Sequence, residues 1–140
     1  MKEQARSYFK EGYNCAQAVL IAACDRVGLD QDTAALVMEG FGGGFGRQRE
    51  VCGAVSGAVA AIGMAHGSAR ADSDTKADVY ARVQAFCNEF KEEMGSIICR
   101  ELLGQPAGDP IPEPRTEQYY KQRPCAEIVA TAAELLEKYL

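Results

Sequence analysis

The sequence predicts an all-α protein, a compact bundle of about five to six helices that forms a single domain over residues 1–140. Apolar residues recur at helical spacing, no segment alternates like a half-buried strand, and glycines or capping residues separate the periodic segments. A chain of 140 residues suits one domain that buries roughly 70% of its unfolded surface. The fold therefore needs no disulfide, and the six cysteines need another explanation.

Three helices are expected before residue 40. The first covers about residues 2–10 and breaks at Gly12. Asn14 is the expected N-cap of the second, with Gln17 three residues later as in a capping box, and this helix runs to about residue 27 and stops at Gly28. An aspartate at position 30 or 32 caps a short third helix through residue 38.

The middle of the chain combines a glycine-rich loop with two helices. GFGGGFG at residues 40–46 predicts a helix–helix loop, and a small-residue helix is expected over about 50–65. The longest helix opens at Ser73 or Asp74 and ends before Gly95. Its apolar stripe at helical spacing comprises Val79, Val83, Phe86, Phe90 and Met94.

The last third contains a proline-rich loop between two helices. Ser96 is the expected cap of a short helix, SIICRELL, that Gly104 ends. Residues 104–115 hold four prolines and predict an extended loop. The final helix begins near Pro124, a favoured first-turn residue. Its apolar face comprises Cys125, Ile128, Val129, Ala132, Leu135 and Leu136.

Charge and hydropathy exclude several classes of function. The net charge is -5 and no basic cluster is visible, so no nucleic-acid partner is expected. No run approaches the ~20 apolar residues of a membrane span, and the N-terminus has no apolar core of secretory length. We expect a cytoplasmic protein that is not membrane-embedded, in which thiols are kept reduced.

The glycine-rich loop fails the tests for a phosphate site. The residues after Gly46 are Arg47 and Gln48, so there is no P-loop lysine, and G-x-G-x-x-G fits at no start. The glycines instead predict a sharp turn with Phe41 and Phe45 packed into the core. Backbone amides and arginines in this loop also predict an electropositive environment for the cysteine that follows.

Four of the six cysteines fall in the first turns of expected helices: Cys15, Cys52, Cys99 and Cys125. Free amides and the positive end of the helix dipole stabilise a thiolate there. Basic residues adjoin three of the four, namely Arg47 and Arg49 before Cys52, Arg100 after Cys99, and Arg123 before Cys125. These four are therefore the candidate reactive thiols.

The other two cysteines, Cys24 and Cys87, do not belong to this group. Cys87 lies on the apolar stripe, where a buried thiol is ordinary. Cys24 lies on the side of its helix opposite Cys15, so these two cannot share a site. Around Cys52, the glycines Gly53 and Gly57 stack one turn apart and predict close approach of another helix that carries a reactive thiol.

The spacing of the four cysteines leaves two kinds of site open. None forms a C-x-x-C pair, which excludes a thioredoxin motif and a zinc ribbon. Remote thiols can still converge in the fold. They would then form one or two redox-active dithiol pairs, or a four-cysteine site for zinc, iron or an iron–sulfur cluster.

The cysteine motifs resemble those of the C_GCAxxG_C_C family of redox-active proteins. The resemblance covers the whole chain and rests on Cys15 in GYNCAQAV, on Cys52, Gly53, Ala54 and Gly57 in the CGAxxG core, on Cys99 in ICRELLG and on Cys125. It implies redox activity at the four cysteines, without a substrate or cofactor. It also implies an unknown redox partner in a transporter-associated system.

Two hypotheses follow, with a packing domain of inert thiols as a third. The first is thiol–disulfide exchange or redox sensing at Cys15, Cys52, Cys99 and Cys125, with Cys52 attacking and Cys99 or Cys125 resolving. The second is a metal or iron–sulfur binding module that uses the same four cysteines in a structural or electron-transfer role. Exposed small-residue faces are also compatible with a homodimer.

Overall fold

The computed structural model describes residues 1–140, which form helices and no β-strand. The helices are α1 (Lys2–Lys10), α2 (Cys15–Val27), α3 (Gln31–Met38), α4 (Gly42–Phe45), α5 (Gly53–His66), α6 (Ser73–Met94), α7 (Cys99–Leu103), α8 (Glu117–Gln122) and α9 (Cys125–Leu136). Six of them have eight residues or more, and α4, α7 and α8 are shorter. The predicted all-α class is confirmed.

Helix α2 lies at the centre of the bundle. The helices α1, α3, α5 and α9 pack around it, and α6 packs on α5 and α9. Eight of the 13 residues of α2 are buried, and four of those are alanines. A helix buried on most sides has small or apolar residues all round rather than one stripe. One core cluster of 27 residues includes residues from all six of the longer helices.

Two glycines set the distance between α2 and α5. A Cβ atom on Gly57 would lie 2.5 Å from the carbonyl oxygen of Ala16. One on Gly53 would lie 3.1 Å from the amide nitrogen of Ala16 and 3.3 Å from Cβ of Cys15. The close contact predicted from these glycines is confirmed, and the helix they meet is the one that begins with Cys15.

The first three helices begin and end as the sequence predicts. The amide of Gln17 donates to Oδ1 of Asn14 at 2.9 Å, and Oε1 of Gln17 accepts from the amide of Asn14 at 3.0 Å. This capping box fixes the start of α2. Gly28 ends α2 in the left-handed conformation, with φ of 68°, and Asp30 caps α3.

Helices α5 and α7 begin later than expected. The predicted starts are about residue 50 and Ser96, whereas the helices begin at Gly53 and Cys99. The preceding segments, 50–52 and 97–99, face each other instead across an antiparallel bridge between Val51 and Ile98. Hydrogen bonds across this bridge satisfy backbone groups that an earlier helix start would have used. The short helix α8 was not predicted.

The glycine-rich loop makes the predicted turn with a different anchor. Gly43, Gly44 and Gly46 have φ of 67°, 72° and 61°, which only glycine adopts without strain. The Phe45 side chain is 41% exposed, so the prediction that it packs in the core is wrong. Phe41 is half-buried and contacts the Phe45 ring at a centroid distance of 5.5 Å.

The apolar faces of the later helices agree with their periodicity. Phe86 and Phe90 of α6 are fully buried, and the other stripe residues pack partly buried against the core. All six residues predicted for the apolar face of α9 are buried. No helix is both long enough and apolar enough to cross a membrane.

Candidate functional site

The four cysteines selected from helix starts line one pocket of about 300 Å³. Cys15, Cys99 and Cys125 are the first residues of α2, α7 and α9, and Cys52 is the N-cap of α5. Apolar side chains from α1, α7, α9 and the proline-rich loop complete much of the wall. Four thiols that are distant in the sequence thus share one cavity.

The glycine-rich loop passes close to the starts of α2 and α7. A Cβ on Gly42 would lie 2.6 Å from Nδ2 of Asn14, and one on Gly44 would lie 2.9 Å from Cβ of Cys99. Nδ2 of Asn14 also donates to the carbonyl oxygen of Glu39 at 3.0 Å. The glycines are therefore needed where the loop crosses two cysteine-bearing helix starts.

The bridge between residues 50–52 and 97–99 positions the other two cysteines. The amide of Cys52 donates to the carbonyl oxygen of Ile97 at 2.8 Å, and the amide of Cys99 donates to that of Glu50 at 2.6 Å. The starts of α5 and α7 are thereby held side by side. Only a tertiary contact supplies this alignment, which explains why helix periodicity does not predict it.

The thiols of Cys15 and Cys125 both line the pocket, and each shifts the pKa of the other. Hydrogen bonding to the Cys15 thiol and the nearby guanidinium groups of Arg123 and Arg115 lower the pKa of Cys125 to about 7, although burial acts in the opposite direction. The same hydrogen bond and burial raise the pKa of Cys15 well above its ordinary value. Because Cys125 has the basic neighbours, the thiolate forms there and Cys15 keeps its proton.

Two arginines stabilise negative charge at Cys125. The Arg123 side chain is 8% exposed and forms an ion pair with Glu113. Arg115 donates to the carbonyl oxygens of Phe9 and Tyr13 at 2.9 and 3.1 Å, and its guanidinium lies 4.4 Å from the centre of the Phe9 ring. The sequence predicts Arg123 as a basic neighbour of Cys125. Arg115 lies in the proline-rich loop, and no local motif relates it to Cys125.

Cys52 does not have the low pKa that the sequence predicts. Burial raises its pKa to about 12, against the opposing effect of the Val55 and Ala54 amides. The Cys52 side chain is 5% exposed. The helix start alone therefore does not make Cys52 the most acidic thiol, because desolvation of the thiolate outweighs the nearby amides.

The arginines near Cys52 in the sequence contact other groups. Arg47 pairs with Asp109 and Glu113 at 3.3 and 3.5 Å. Nη1 of Arg49 lies 3.9 Å from Sγ of Cys99. Burial nevertheless raises the pKa of Cys99, and Arg49 only opposes this shift.

Arg100 and the two other cysteines, Cys24 and Cys87, lie outside the pocket. Arg100, expected to assist Cys99, pairs with Glu50 at 2.7 Å and is absent from the pocket wall. Cys24 is buried in the core and Cys87 is partly buried on α6, and neither lines the pocket. The packing interpretation of Cys87 and the separation of Cys24 from Cys15 agree with these positions.

The geometry gives no support to the metal hypothesis. The structure has no group of three or more histidine, cysteine, aspartate or glutamate side chains that could hold a metal ion. Cys15, Cys52, Cys99 and Cys125 share a pocket without forming such a ligand set. All six cysteines are free thiols in this structure.

A family model described as "Putative redox-active protein (C_GCAxxG_C_C)" matches residues 13–139. The chain belongs to this family. The matched range contains all four pocket cysteines and the CGAVSG segment, so the resemblance noted from the motifs is confirmed. The description of the C_GCAxxG_C_C family names redox activity but no specific reaction. No curated protein and no solved structure matches the chain.

Proposed function

We propose that this protein carries out thiol–disulfide exchange, with Cys125 as the attacking thiolate and Cys15 as the resolving thiol. The observation that carries the proposal is that Cys15 and Cys125 line one pocket with Arg123 and Arg115, in which Cys15 and the two arginines lower the pKa of Cys125 to about 7. An attacking thiol combines thiolate fraction and nucleophilicity best when its pKa is near the ambient pH. Cys125 has this property, and it replaces Cys52 as the attacking residue.

The reaction has two exchange steps. The Cys125 thiolate attacks one sulfur of a substrate disulfide, so that a mixed disulfide forms and the other substrate sulfur leaves as a thiolate. Cys15 then attacks Sγ of Cys125, and its proton passes to the departing substrate sulfur. The substrate gains two electrons and becomes one thiol and one thiolate, which takes a proton from solvent, while Cys15 and Cys125 become a disulfide. A reducing dithiol restores the protein by the same steps in reverse.

The shared pocket of the two thiols suits both steps. The Cys15 thiol stabilises the Cys125 thiolate before the attack. It also lies in the same pocket as the sulfur that it must attack once Cys125 carries the substrate. Cys15 is half-buried, and Cys52, Cys99 and Cys125 are buried. This burial limits the reaction of the mixed disulfide with other thiols in solution.

The test is to trap the disulfides formed by the reduced protein. We expect oxidised glutathione to produce a Cys15–Cys125 disulfide, which non-reducing peptide mass spectrometry identifies. The variant Cys15→Ser should accumulate a mixed disulfide at Cys125, since the resolving thiol is missing. Cys87→Ser is the matched control and should behave like the wild type. A Cys125→Ser variant whose remaining thiols react with oxidised glutathione at the wild-type rate would exclude Cys125 as the attacking thiol.

A further inference from the structure

The thiol pocket is rich in positive charge, although the whole chain is acidic. Four arginines line it, at positions 47, 49, 115 and 123, against the two glutamates Glu39 and Glu113. The net charge of the chain is -5. The helices α2, α5 and α9 also direct their N-terminal ends, which carry partial positive charge, toward the pocket cysteines.

Arg49 is a buried cation that has no anionic partner. Its residue is 3% exposed, and no carboxylate forms an ion pair with it. Its Nε atom is buried and has no hydrogen-bond partner. The one hydrogen bond that its guanidinium donates is the long one to the Cys99 sulfur, at 3.9 Å. Burial of an unpaired charge is costly, so a partner is expected when the site is in use.

The backbone around Arg49 is held in an uncommon conformation. Its φ is 63°, in the left-handed region that non-glycine residues seldom adopt. The amide of Arg49 donates to the carbonyl oxygen of Gly43 at 3.1 Å, and the amide of Arg100 donates to that of Arg49 at 3.2 Å. Such backbone strain persists where the surroundings fix a side chain in place.

Cys99 does not supply the missing negative charge at neutral pH. Burial is the largest effect on its pKa and raises it, so this sulfur remains a thiol. The other arginines differ from Arg49, since Arg47 and Arg123 both pair with Glu113. Arg115 has no carboxylate partner either, but its guanidinium donates to two carbonyl oxygens and lies over the Phe9 ring.

We propose that Arg49 binds a carboxylate of the substrate, and that the substrate is therefore a small-molecule disulfide that carries a carboxylate close to its sulfurs. This inference rests on the proposed exchange reaction at Cys125 and names its substrate class. A guanidinium provides paired N–H donors that match a carboxylate. The volume of about 300 Å³ suits a small molecule rather than a protein segment. The carboxylate is not altered in the reaction and serves to orient the disulfide.

The test compares two small disulfides that differ in charge. Dithiodiglycolate carries two carboxylates, and bis(2-hydroxyethyl) disulfide is neutral. Each is mixed with the fully reduced protein, and the second-order rate constant for oxidation is divided by that of the same disulfide with a free thiol. We expect the normalised rate to be about tenfold higher for the dicarboxylate. Equal normalised rates in the wild type would overturn the inference.

Variants assign the preference to Arg49. In Arg49→Gln the preference should fall severalfold, whereas Arg82→Gln should retain the wild-type preference, because Arg82 lies on α6 outside the pocket. A preference that persists in folded Arg49→Gln would exclude Arg49 as the carboxylate site. If Arg49→Gln does not fold, a second experiment on the wild-type protein tests the inference. Succinate, which has no sulfur, should slow the alkylation of Cys125 by neutral iodoacetamide, and no slowing at saturating succinate would contradict the inference.

The two proposals fail in different ways. If neither disulfide oxidises Cys15 and Cys125, the exchange reaction itself is wrong. If both oxidise the pair at equal normalised rates, the exchange reaction stands and the carboxylate site is wrong. Protection by succinate reports on binding alone, so it separates the anion site from the redox chemistry.

Discussion

A single methyl group on α5 tests the contact that brings Cys15 and Cys52 together. In Gly57→Ala the new Cβ would lie 2.5 Å from the carbonyl oxygen of Ala16 in α2. Real Cβ atoms do not approach an oxygen so closely, and the oxygen belongs to the backbone, so it cannot rotate away. The two helices would have to separate.

The magnitude follows from a comparison with Gly63 on the same helix. A Cβ on Gly63 meets no atom within 4 Å. Alanine in place of a helical glycine contributes about 0.5–1 kcal/mol of stability, so Gly63→Ala should raise the free energy of unfolding by that amount. Gly57→Ala gains the same contribution and loses about 1–3 kcal/mol to overpacking. The two variants should therefore differ by about 1–3 kcal/mol, with Gly57→Ala the less stable.

Urea denaturation followed by far-UV circular dichroism measures this difference. The matched pair removes the effect of helix propensity, which is common to both variants, and leaves the steric cost. If Gly57→Ala were as stable as Gly63→Ala, the close approach of α2 and α5 in the structure would be refuted.

Two further predictions concern the start of α2 and the pH dependence of stability. Asn14→Ala removes the capping box and should lower the free energy of unfolding by about 0.5–2 kcal/mol in urea titrations, and an unchanged value would contradict the cap. The raised pKa of Cys52, about 12, means that above about pH 8.5 the unfolded thiol ionises while the folded one does not. Wild-type stability should thus fall between pH 8 and 10 by on the order of 1–2 kcal/mol more than that of Cys52→Ala. Parallel pH profiles would show that Cys52 is not buried as a thiol.

The fold was predictable because its signals are local. Caps such as Asn14 and Asp30, and stops such as Gly28, act within a few residues of the helix ends that they set. The choice of four cysteines also came from local position at helix starts. Only the structure shows the convergence of these cysteines in one pocket, because no local pattern encodes a contact between Cys15 and Cys125.

The reactivity of the thiols could not be ranked from the sequence. Neighbouring arginines and a helix start favour Cys52 in the sequence, yet Arg49 faces Cys99 and burial dominates at Cys52. Arg115 contributes to the low pKa of Cys125 from the proline-rich loop. Desolvation and long-range neighbours decide the pKa values here, and both depend on tertiary packing.

The most direct test of the account is the pH dependence of iodoacetamide alkylation at each cysteine of the reduced wild-type protein, measured by peptide mass spectrometry. The account predicts that Cys125 reacts fastest near neutral pH, with a midpoint at about pH 7, and that Cys52 remains slow up to pH 9. If Cys52 titrated at a lower pH than Cys125, or if Cys125 showed no midpoint below about pH 8.5, the central role of the Cys15–Cys125 pair would be contradicted.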